Sequence, residues 1–227
     1  MRKLRTSGSV GGRAGNRSVY PTIRGLLQPH TKEISNAIHH FLPVIVALVS
    51  CGTSPVDAPK AESGRNQAVV FDIDGTLTPR RSNFVEARAD AATTAQSFYD
   101  KGYTVYYISA RSSLTKELTQ SWLNKNRFPP GFLYLGQLPT DAMDSADYKI
   151  RILETLIKVG WRLEYAYGDQ ATDFEAYAKV NIPKDRIFAL QRSDENICEP
   201  GLWTKCLKGW TEHLDFITNS VQSISRQ

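Results

Sequence analysis

The stretch from Ala68 to Thr78, Ala-Val-Val-Phe-Asp-Ile-Asp-Gly-Thr-Leu-Thr, constrains the fold of this chain more than any other segment. Its apolar, β-branched beginning predicts a buried strand, and Gly75 permits a sharp turn where that strand ends. Asp72 and Asp74 then lie at the carboxyl end of a strand, where open α/β sheets bind their ligands. An alternative is an Asx-type turn, in which the two carboxylates only cap backbone N–H groups.

Strands and helices alternate along the rest of the chain. We predict further strands at residues 104–109, 131–136, 164–168 and 186–190, and helices at residues 83–101, 112–126, 146–159, 172–180 and 207–217. Such alternation indicates βαβ units. The sequence therefore predicts an α/β, Rossmann-like fold with a mostly parallel sheet and helices on both faces.

Polar side chains follow two other predicted strands at the same edge of the sheet. They are Ser109 and Arg111 after the second strand, Asp169 and Asp173 after the fourth, and Lys149 at the start of the helix between them. Taken singly, each fits a helix cap or a solvated surface charge. Together they place a hydroxyl, an ammonium and up to four carboxylates at one sheet edge, which indicates a catalytic site.

These positions resemble the motifs of the haloacid dehalogenase (HAD)-like phosphatases. The segment Phe71–Thr78 is similar to the first motif, Asp-x-Asp-x-Thr, and Ser109, Lys149 and Gly168–Asp173 follow in the order of the other three. Within that superfamily the chain looks most like the lipin phosphatidate phosphatases and the related carboxyl-terminal domains of phosphatidylinositol transfer proteins. Lipins generally carry Asn at the position of Asp169, where the wider superfamily uses Asp.

The resemblance implies a Mg²⁺-dependent phosphatase that forms an aspartyl phosphate. Asp72 is the expected nucleophile, and Asp74 the expected acid for the leaving group and base for the attacking water. The expected Mg²⁺ ligands are Asp72, Asp169 and the Asp74 carbonyl, because this ion prefers oxygen. The other expected site residues are Ser109 and Lys149 in catalysis, with Lys158 as the alternative lysine, Thr76 and Asp173 in support, and Gly75 and Arg111 in substrate binding.

The spacing of the motifs leaves no room for a cap domain. About thirty residues separate Asp74 from Ser109, and 39 positions separate Ser109 from Lys149. We therefore expect an open site that admits a phosphate on a large or membrane-held substrate. Arg80 and Arg81 lie near its mouth, either to engage an anionic head group or as ordinary surface charges.

The first 50 residues differ in composition from the remainder. They hold seven Lys and Arg against one Glu, so residues 51–227 carry a net charge of −1 although the whole chain is +5. The high pI therefore does not indicate a nucleic-acid partner. The apolar run Phe41–Ser50 before Cys51 resembles a bacterial lipoprotein signal. The alternative is a short buried strand with an inert cysteine.

From this pattern we expect a disordered extension and lipoprotein-type signal peptide at 1–50, a flexible tether at 51–66 and a HAD-like phosphatase domain at 67–227. Lipidation of Cys51 would anchor the exported protein in a membrane, facing the periplasm, with the outer membrane favoured over the inner. Cys198 and Cys206 could close a disulfide, which fits an oxidising compartment, or could be unrelated cysteines.

Three functions are consistent with the sequence. The leading one is Mg²⁺-dependent hydrolysis of a phosphomonoester such as phosphatidic acid. The second is a phosphatidic-acid-binding sensor without turnover, and the third is an exported acid phosphatase acting on soluble nucleotides. Retention of both Asp72 and Asp74 favours catalysis over sensing.

Overall fold

The computed structural model describes residues 57–224, in which a six-stranded, fully parallel sheet is covered by helices on both faces. The strands are β1 (Gln67–Phe71), β2 (Thr104–Ser112), β3 (Phe132–Gly136), β4 (Arg162–Gly168), β5 (Ile187–Leu190) and β6 (Lys205–Leu207). Their order in the sheet is β3-β2-β1-β4-β5-β6. The predicted α/β, Rossmann-like fold is confirmed.

Six α-helices connect or follow the strands. They are α1 (Ala91–Asp100), α2 (Lys116–Lys125), α3 (Pro139–Met143), α4 (Ser145–Lys158), α5 (Ala171–Lys179) and α6 (Leu214–Ser220), with 3₁₀ turns at Ser113–Thr115, Lys184–Arg186 and Thr211–His213. Within residues 57–224 no separate domain interrupts this pattern, since α1 is the only helix between β1 and β2. No helix of the described segment has the length and apolarity needed to cross a membrane.

The central strand β1 contributes to a core on each face of the sheet because its side chains alternate. Val69 and Phe71 pack with residues of α1, α2 and α6, whereas Ala68 and Val70 pack with residues of α4 and α5. The Phe71 ring stacks on the Tyr167 ring of β4, with centroids 5.1 Å apart. Aromatic packing on the neighbouring strand thus fixes β1 just before the two aspartates.

The helix predicted from residue 83 begins only at Ala91, so the prediction was wrong for its first eight residues. Asn83 forms an Asx-type turn in which its Oδ1 accepts from the backbone N–H groups of Val85 and Glu86. Asp90 has φ 60°, the left-handed conformation that interrupts a helix. Residues 83–90 therefore form a loop between β1 and α1.

The carboxyl-terminal part also differs from the prediction. Leu207, expected to begin a helix, ends the short strand β6, and α6 starts at Leu214. Cys206 of β6 is joined by a disulfide to Cys198. A three-residue strand held by pairing with β5 and by a disulfide has too little local pattern to be recognised in the sequence. The short helix α3 was likewise not predicted.

Residues 57–66 belong to the segment expected to be a flexible tether, and here they lie against the domain. The Trp161 side chain donates to the Pro59 carbonyl at 2.8 Å, and the Ala61 N–H donates to the Val159 carbonyl at 3.0 Å. Within the described part of that segment, residues 57–66 therefore pack against the domain. The expected signal peptide at 1–50 and the lipidation site Cys51 lie outside the described residues.

Candidate active site

The carboxyl ends of β1, β2 and β4 bring the predicted site residues together, because these strands are parallel neighbours. Asp72 directly follows β1, Ser109 and Arg111 lie in the last four residues of β2, and Asp169 directly follows β4. A cleft of about 530 Å³ opens at this edge and is lined by Asp72, Asp74, Ser109, Arg111 and Lys149, together with Arg81, Ser82, Phe84, Ala110, Ala142, Ser145, Gln170 and Asp194.

Lys149 lies between two buried carboxylates at the bottom of the cleft. Its Nζ donates to Oδ1 of Asp72 at 2.6 Å and to Oδ1 of Asp173. All three side chains are almost completely buried. The backbone N–H groups of Asp169 and Gln170 both donate to Oδ2 of Asp173 at 3.0 Å, so this carboxylate also caps the amino-terminal end of α5. One lysine thus fixes the expected nucleophile relative to two helices.

Asp74 lies higher in the cleft and is held by β2. Arg111 donates to both its carboxylate oxygens, from Nη2 to Oδ1 at 2.7 Å and from Nε to Oδ2 at 2.7 Å. The Ser109 hydroxyl donates to Oδ2 at 3.0 Å and accepts from the Arg111 N–H. Bidentate pairing of this kind fixes orientation as well as charge. Asp74 therefore faces the opening while Asp72 is buried beneath it.

Gly75 makes the turn that brings both aspartates into one cleft. Its φ is +80°, and a Cβ at this position would lie 2.2 Å from Oδ2 of Asp169, so no other residue fits without displacing that carboxylate. Its N–H donates to the Thr78 hydroxyl at 2.9 Å. Gly75 therefore makes the turn, and its expected role in substrate binding stays a prediction.

The remaining predictions have clear positions. Lys149 is buried in the site whereas Lys158 is exposed at the end of α4, which identifies the lysine. Thr76 is buried, and its hydroxyl has no hydrogen-bond partner among the described residues; only its carbonyl is used, by the Trp210 indole. Thr76 therefore supports the loop through its backbone. Arg80 and Arg81 are exposed, and Arg81 borders the cleft.

Sequence reasoning missed two arginines that build the site. Arg88 donates to the carbonyls of Gly75, Thr78, Pro79 and Gln191, at 2.6 to 3.2 Å, and so fastens the loop that carries Asp74. No sequence pattern marks it, because all its partners are backbone atoms. Arg192 donates from Nη1 to Oδ2 of Asp169 at 3.0 Å. Its position two residues after β5 is the signal that could have identified it.

Two buried oxygens in the site are left for a metal ion. Oδ2 of Asp72 and Oδ1 of Asp169 have no hydrogen-bond partner among the described residues. Ligand atoms of Asp72, Asp169 and Asp173 lie within 4.8 Å of one another. Both oxygens of Asp173 already accept hydrogen bonds, so Asp72 and Asp169 are the ones that fit a hard divalent cation. Unsatisfied buried oxygens otherwise destabilise the fold, which makes the fit chemically reasonable.

Burial also shifts the acidity of these two groups. It raises the pKa of Asp72 to about 7, against the lowering by Lys149 and with a further increase from Asp173. Burial, followed by the charges of Asp72 and Asp173, raises the pKa of Asp169 to about 8. Burial opposes the charge of Lys149, but Asp173 and Asp72 outweigh it and raise its pKa well above the usual range. A cation that bound here would displace protons.

Comparison with known proteins assigns the chain to a family. Residues 69–191, more than half of the chain, match the family model described as PITM 1-3, LNS2 domain. The chain belongs to this LNS2 domain family. This chain is 28% identical over 166 residues, 69% of its length, to the mouse membrane-associated phosphatidylinositol transfer protein 3. It is 30% identical over 127 residues, 54% of this chain, to the Drosophila protein retinal degeneration B.

The match covers only a small part of each relative, and more distantly related solved structures share the fold. The chain spans 16% of the mouse protein and 10% of the Drosophila protein. Among solved structures, a HAD-like phosphatase from Mesorhizobium loti superposes with a TM-score of 0.53, covering 75% of this chain and 93% of its own. At 12% sequence identity that similarity shows a shared HAD-like fold.

Without metal, we expect the LNS2 domain to lose stability as the pH rises from about 5.5 to about 8.5. The folded-state pKa values of Asp72 and Asp169 lie above the usual 3.8, so their contribution is lost as the pH rises through about 7 and 8. The melting temperature should fall by at least about 2–4 °C, the shift for one kcal/mol in a domain of this size. Mg²⁺ should restore it, more strongly at the higher pH.

The control variants for this thermal measurement are Asp72→Asn and Asp147→Asn. Asp72→Asn should flatten the pH dependence and lose most of the Mg²⁺-induced shift, because one ligand and one buried charge are removed. Asp147 is exposed on α4, so its variant should behave as the wild type. An equal Mg²⁺ shift in Asp72→Asn and the wild type would show that the cation binds elsewhere.

Proposed function

We propose that this LNS2 domain is a Mg²⁺-dependent phosphatase that hydrolyses a phosphomonoester lipid, such as phosphatidic acid, through an aspartyl phosphate on Asp72. The observation that carries the proposal is the arrangement of Asp72, Lys149 and Asp169 beneath Asp74. A buried carboxylate next to a buried ammonium, with two carboxylate oxygens that have no partner within residues 57–224, fits phosphoryl transfer better than passive binding.

In the first half-reaction, a carboxylate oxygen of Asp72 attacks phosphorus and the bond to the leaving oxygen breaks. Asp74 gives a proton to that oxygen, so the lipid leaves as an alcohol. Arg111 must move from Asp74 to a substrate oxygen for this transfer, since it now binds both oxygens of Asp74. The Ser109 hydroxyl, which now donates to Asp74, must likewise turn to donate a hydrogen bond to the phosphoryl group.

In the second half-reaction, water attacks the aspartyl phosphate. Asp74 accepts a proton from the water, the bond between phosphorus and the Asp72 oxygen breaks, and inorganic phosphate leaves. Lys149 balances charge on Asp72 throughout, because it stays bound between Asp72 and Asp173. Mg²⁺, held by Asp72, Asp169 and the Asp74 carbonyl, would supply the positive charge that lets two anions approach.

The surroundings of the cleft support a substrate held in a membrane. Six large apolar side chains are 49–93% exposed in the segments that follow β1, β2 and β3, at the carboxyl end of the sheet where the cleft opens. We call this set the apolar rim: Phe84, Val85, Leu114, Leu118, Leu138 and Met143. Phe84 and Ala142 line the cleft itself, and the Trp122 indole of α2 donates to the Val85 carbonyl, which joins two parts of the rim. Exposed Arg80, Arg81 and Lys116 add positive charge. Apolar groups mixed with cations favour an anionic lipid surface.

The first test is phosphate release by the purified full chain with Mg²⁺. Phosphatidic acid in mixed micelles should be hydrolysed in preference to soluble nucleotides and para-nitrophenyl phosphate. Asp72→Asn should lower the rate at least about a thousandfold, because the nucleophile is lost, whereas Asp147→Asn should keep it. Turnover of soluble esters alone would retain the mechanism and overturn the lipid assignment.

A second candidate function is a phosphatidic-acid-binding sensor without turnover. The bidentate Arg111–Asp74 pair favours it, because Asp74 is engaged until Arg111 moves. The names of the relatives, phosphatidylinositol transfer proteins, also refer to transfer and not to hydrolysis. Tight binding to phosphatidic-acid vesicles without phosphate release, in the wild type with Mg²⁺, would support the sensor over the enzyme.

The apolar rim gives a separate prediction. The double variant Leu114→Ser, Leu118→Ser should lower the ratio of the rate on phosphatidic-acid vesicles to the rate on para-nitrophenyl phosphate about tenfold or more. Each leucine contributes about 1.5–3 kcal/mol when its side chain leaves water. Ile157→Ser is the matched control, because Ile157 is exposed at the far end of α4. An equal ratio in both variants would rule out a membrane role for these two leucines.

We also propose that the protein is exported and held to a membrane through lipidated Cys51, on the periplasmic side. The Cys198–Cys206 disulfide supports an oxidising compartment. An anchor followed by a short linking segment would keep the open cleft near lipid substrates.

A further inference from the structure

A chain of ion pairs reaches the candidate metal site from the loop between β5 and β6. Arg192 donates from Nη1 to Oδ2 of Asp169 at 3.0 Å and from Nη2 to Oε1 of Glu199 at 2.7 Å. The two ends of one guanidinium therefore join Asp169 to Glu199. The Arg192 side chain is 11% exposed and that of Asp169 is fully buried, so little water competes for these bonds.

Glu199 is itself held in place by three contacts. Its Oε2 accepts from the N–H of Ala171, the first residue of α5, at 2.9 Å. Its carbonyl accepts from the Trp203 indole at 3.0 Å. The preceding residue, Cys198, is joined by the disulfide to Cys206 in β6. The loop thus fixes Glu199 relative to both the sheet and α5.

We propose that Arg192 and Glu199, held by the Cys198–Cys206 disulfide, are positioning residues that orient Asp169 for a divalent cation. The inference rests on the proposed function, because it takes Asp169 to be a metal ligand. Arg192 occupies Oδ2 of Asp169, and Oδ1 remains without a partner in the described part of the chain. Mutation of a residue that orients a metal ligand typically lowers metal affinity about 10- to 100-fold.

A role of Arg192 in orienting Asp169 and a role of its charge predict opposite effects on the affinity for a cation when Arg192 is lost. The charge of Arg192 by itself repels a cation, so its removal would tighten binding if charge decided the outcome. Glu199, and Glu195 at 3.5 Å, largely compensate that charge. If Arg192 acts by holding Asp169 in position, loss of the bridge weakens binding even when the charge is kept.

The test is the affinity of the full chain for Mg²⁺, measured by isothermal titration calorimetry. Glu199→Gln and Glu195→Gln make the same change of charge beside the same arginine, but only Glu199 is tied to α5. Glu199→Gln should weaken Mg²⁺ binding about tenfold or more, and Glu195→Gln should have a much smaller effect. Arg192→Lys keeps the positive charge, but a single ammonium nitrogen replaces the two guanidinium nitrogens that contact Asp169 and Glu199. This variant should therefore also weaken Mg²⁺ binding.

Two further measurements separate positioning from catalysis. In Glu199→Gln the Mg²⁺ concentration for half-maximal phosphate release should rise, while kcat at saturating Mg²⁺ recovers. Reduction of the wild type, or Cys206→Ser, should weaken Mg²⁺ binding in the same direction, because Cys198 no longer fixes Glu199. Glu199→Gln is the deciding variant if Arg192→Lys does not fold, because the Glu199 side chain is only partly buried.

The outcomes distinguish this inference from the proposed function. Equal Mg²⁺ affinity in Glu199→Gln and Glu195→Gln, or tighter binding in Arg192→Lys, would overturn the inference and leave the phosphatase proposal intact. A wild type that binds no Mg²⁺ would contradict both. A wild type that binds Mg²⁺ without turnover would overturn the enzyme, while the affinities of the variants would still decide the role of Arg192 and Glu199.

Discussion

The buried contact of Lys149 with Asp72 and Asp173 is the interaction on which the rest of the site depends. Lys149 is on α4, Asp72 follows β1, and Asp173 lies in the first turn of α5, so one ammonium joins three elements. Removal of one partner from a buried ion pair typically costs about 3–5 kcal/mol, because it leaves an uncompensated charge. Desolvation of the three charges offsets much of their attraction, so stability alone does not explain a buried cluster of this kind.

The side chains of the cleft change from buried carboxylates at its bottom to exposed cationic and apolar groups at its mouth. Asp72 is buried at the bottom with Asp169 buried near it, Asp74 and Arg111 are more exposed, and Arg81 and Phe84 of the apolar rim border the cleft. The phosphate group of a lipid could enter the cleft while the apolar chains of the lipid stay outside. The absence of an inserted domain within residues 57–224 leaves this path open. The depth of the cleft and the surface around it are consistent with the substrate that we propose, a phosphomonoester at a lipid surface.

Much of this arrangement could be predicted because local patterns specify it. The run before Asp72 marks β1, and Lys149 shares a helix face with Ile152, Leu153 and Leu156, so its burial follows from helical periodicity. The loop at residues 83–90 could not be predicted, since its helix is prevented by long-range bonds of Arg88 and by the left-handed Asp90. Arg192 and Glu199 were also missed. The position of Arg192 after β5 was a signal, but the bonds that join Glu199 to Arg192 and Arg192 to Asp169 form only in the tertiary structure.

The most direct test of the account is to look for phosphate covalently bound to Asp72. Enzyme mixed with Mg²⁺ and substrate, quenched in acid within one turnover and digested, would be analysed by mass spectrometry. We expect one phosphoryl group on the peptide that carries Asp72, lost on treatment with hydroxylamine and absent in Asp72→Asn. Phosphate release without such an adduct, or an adduct on Ser109 in its place, would contradict the assignment of Asp72 as nucleophile.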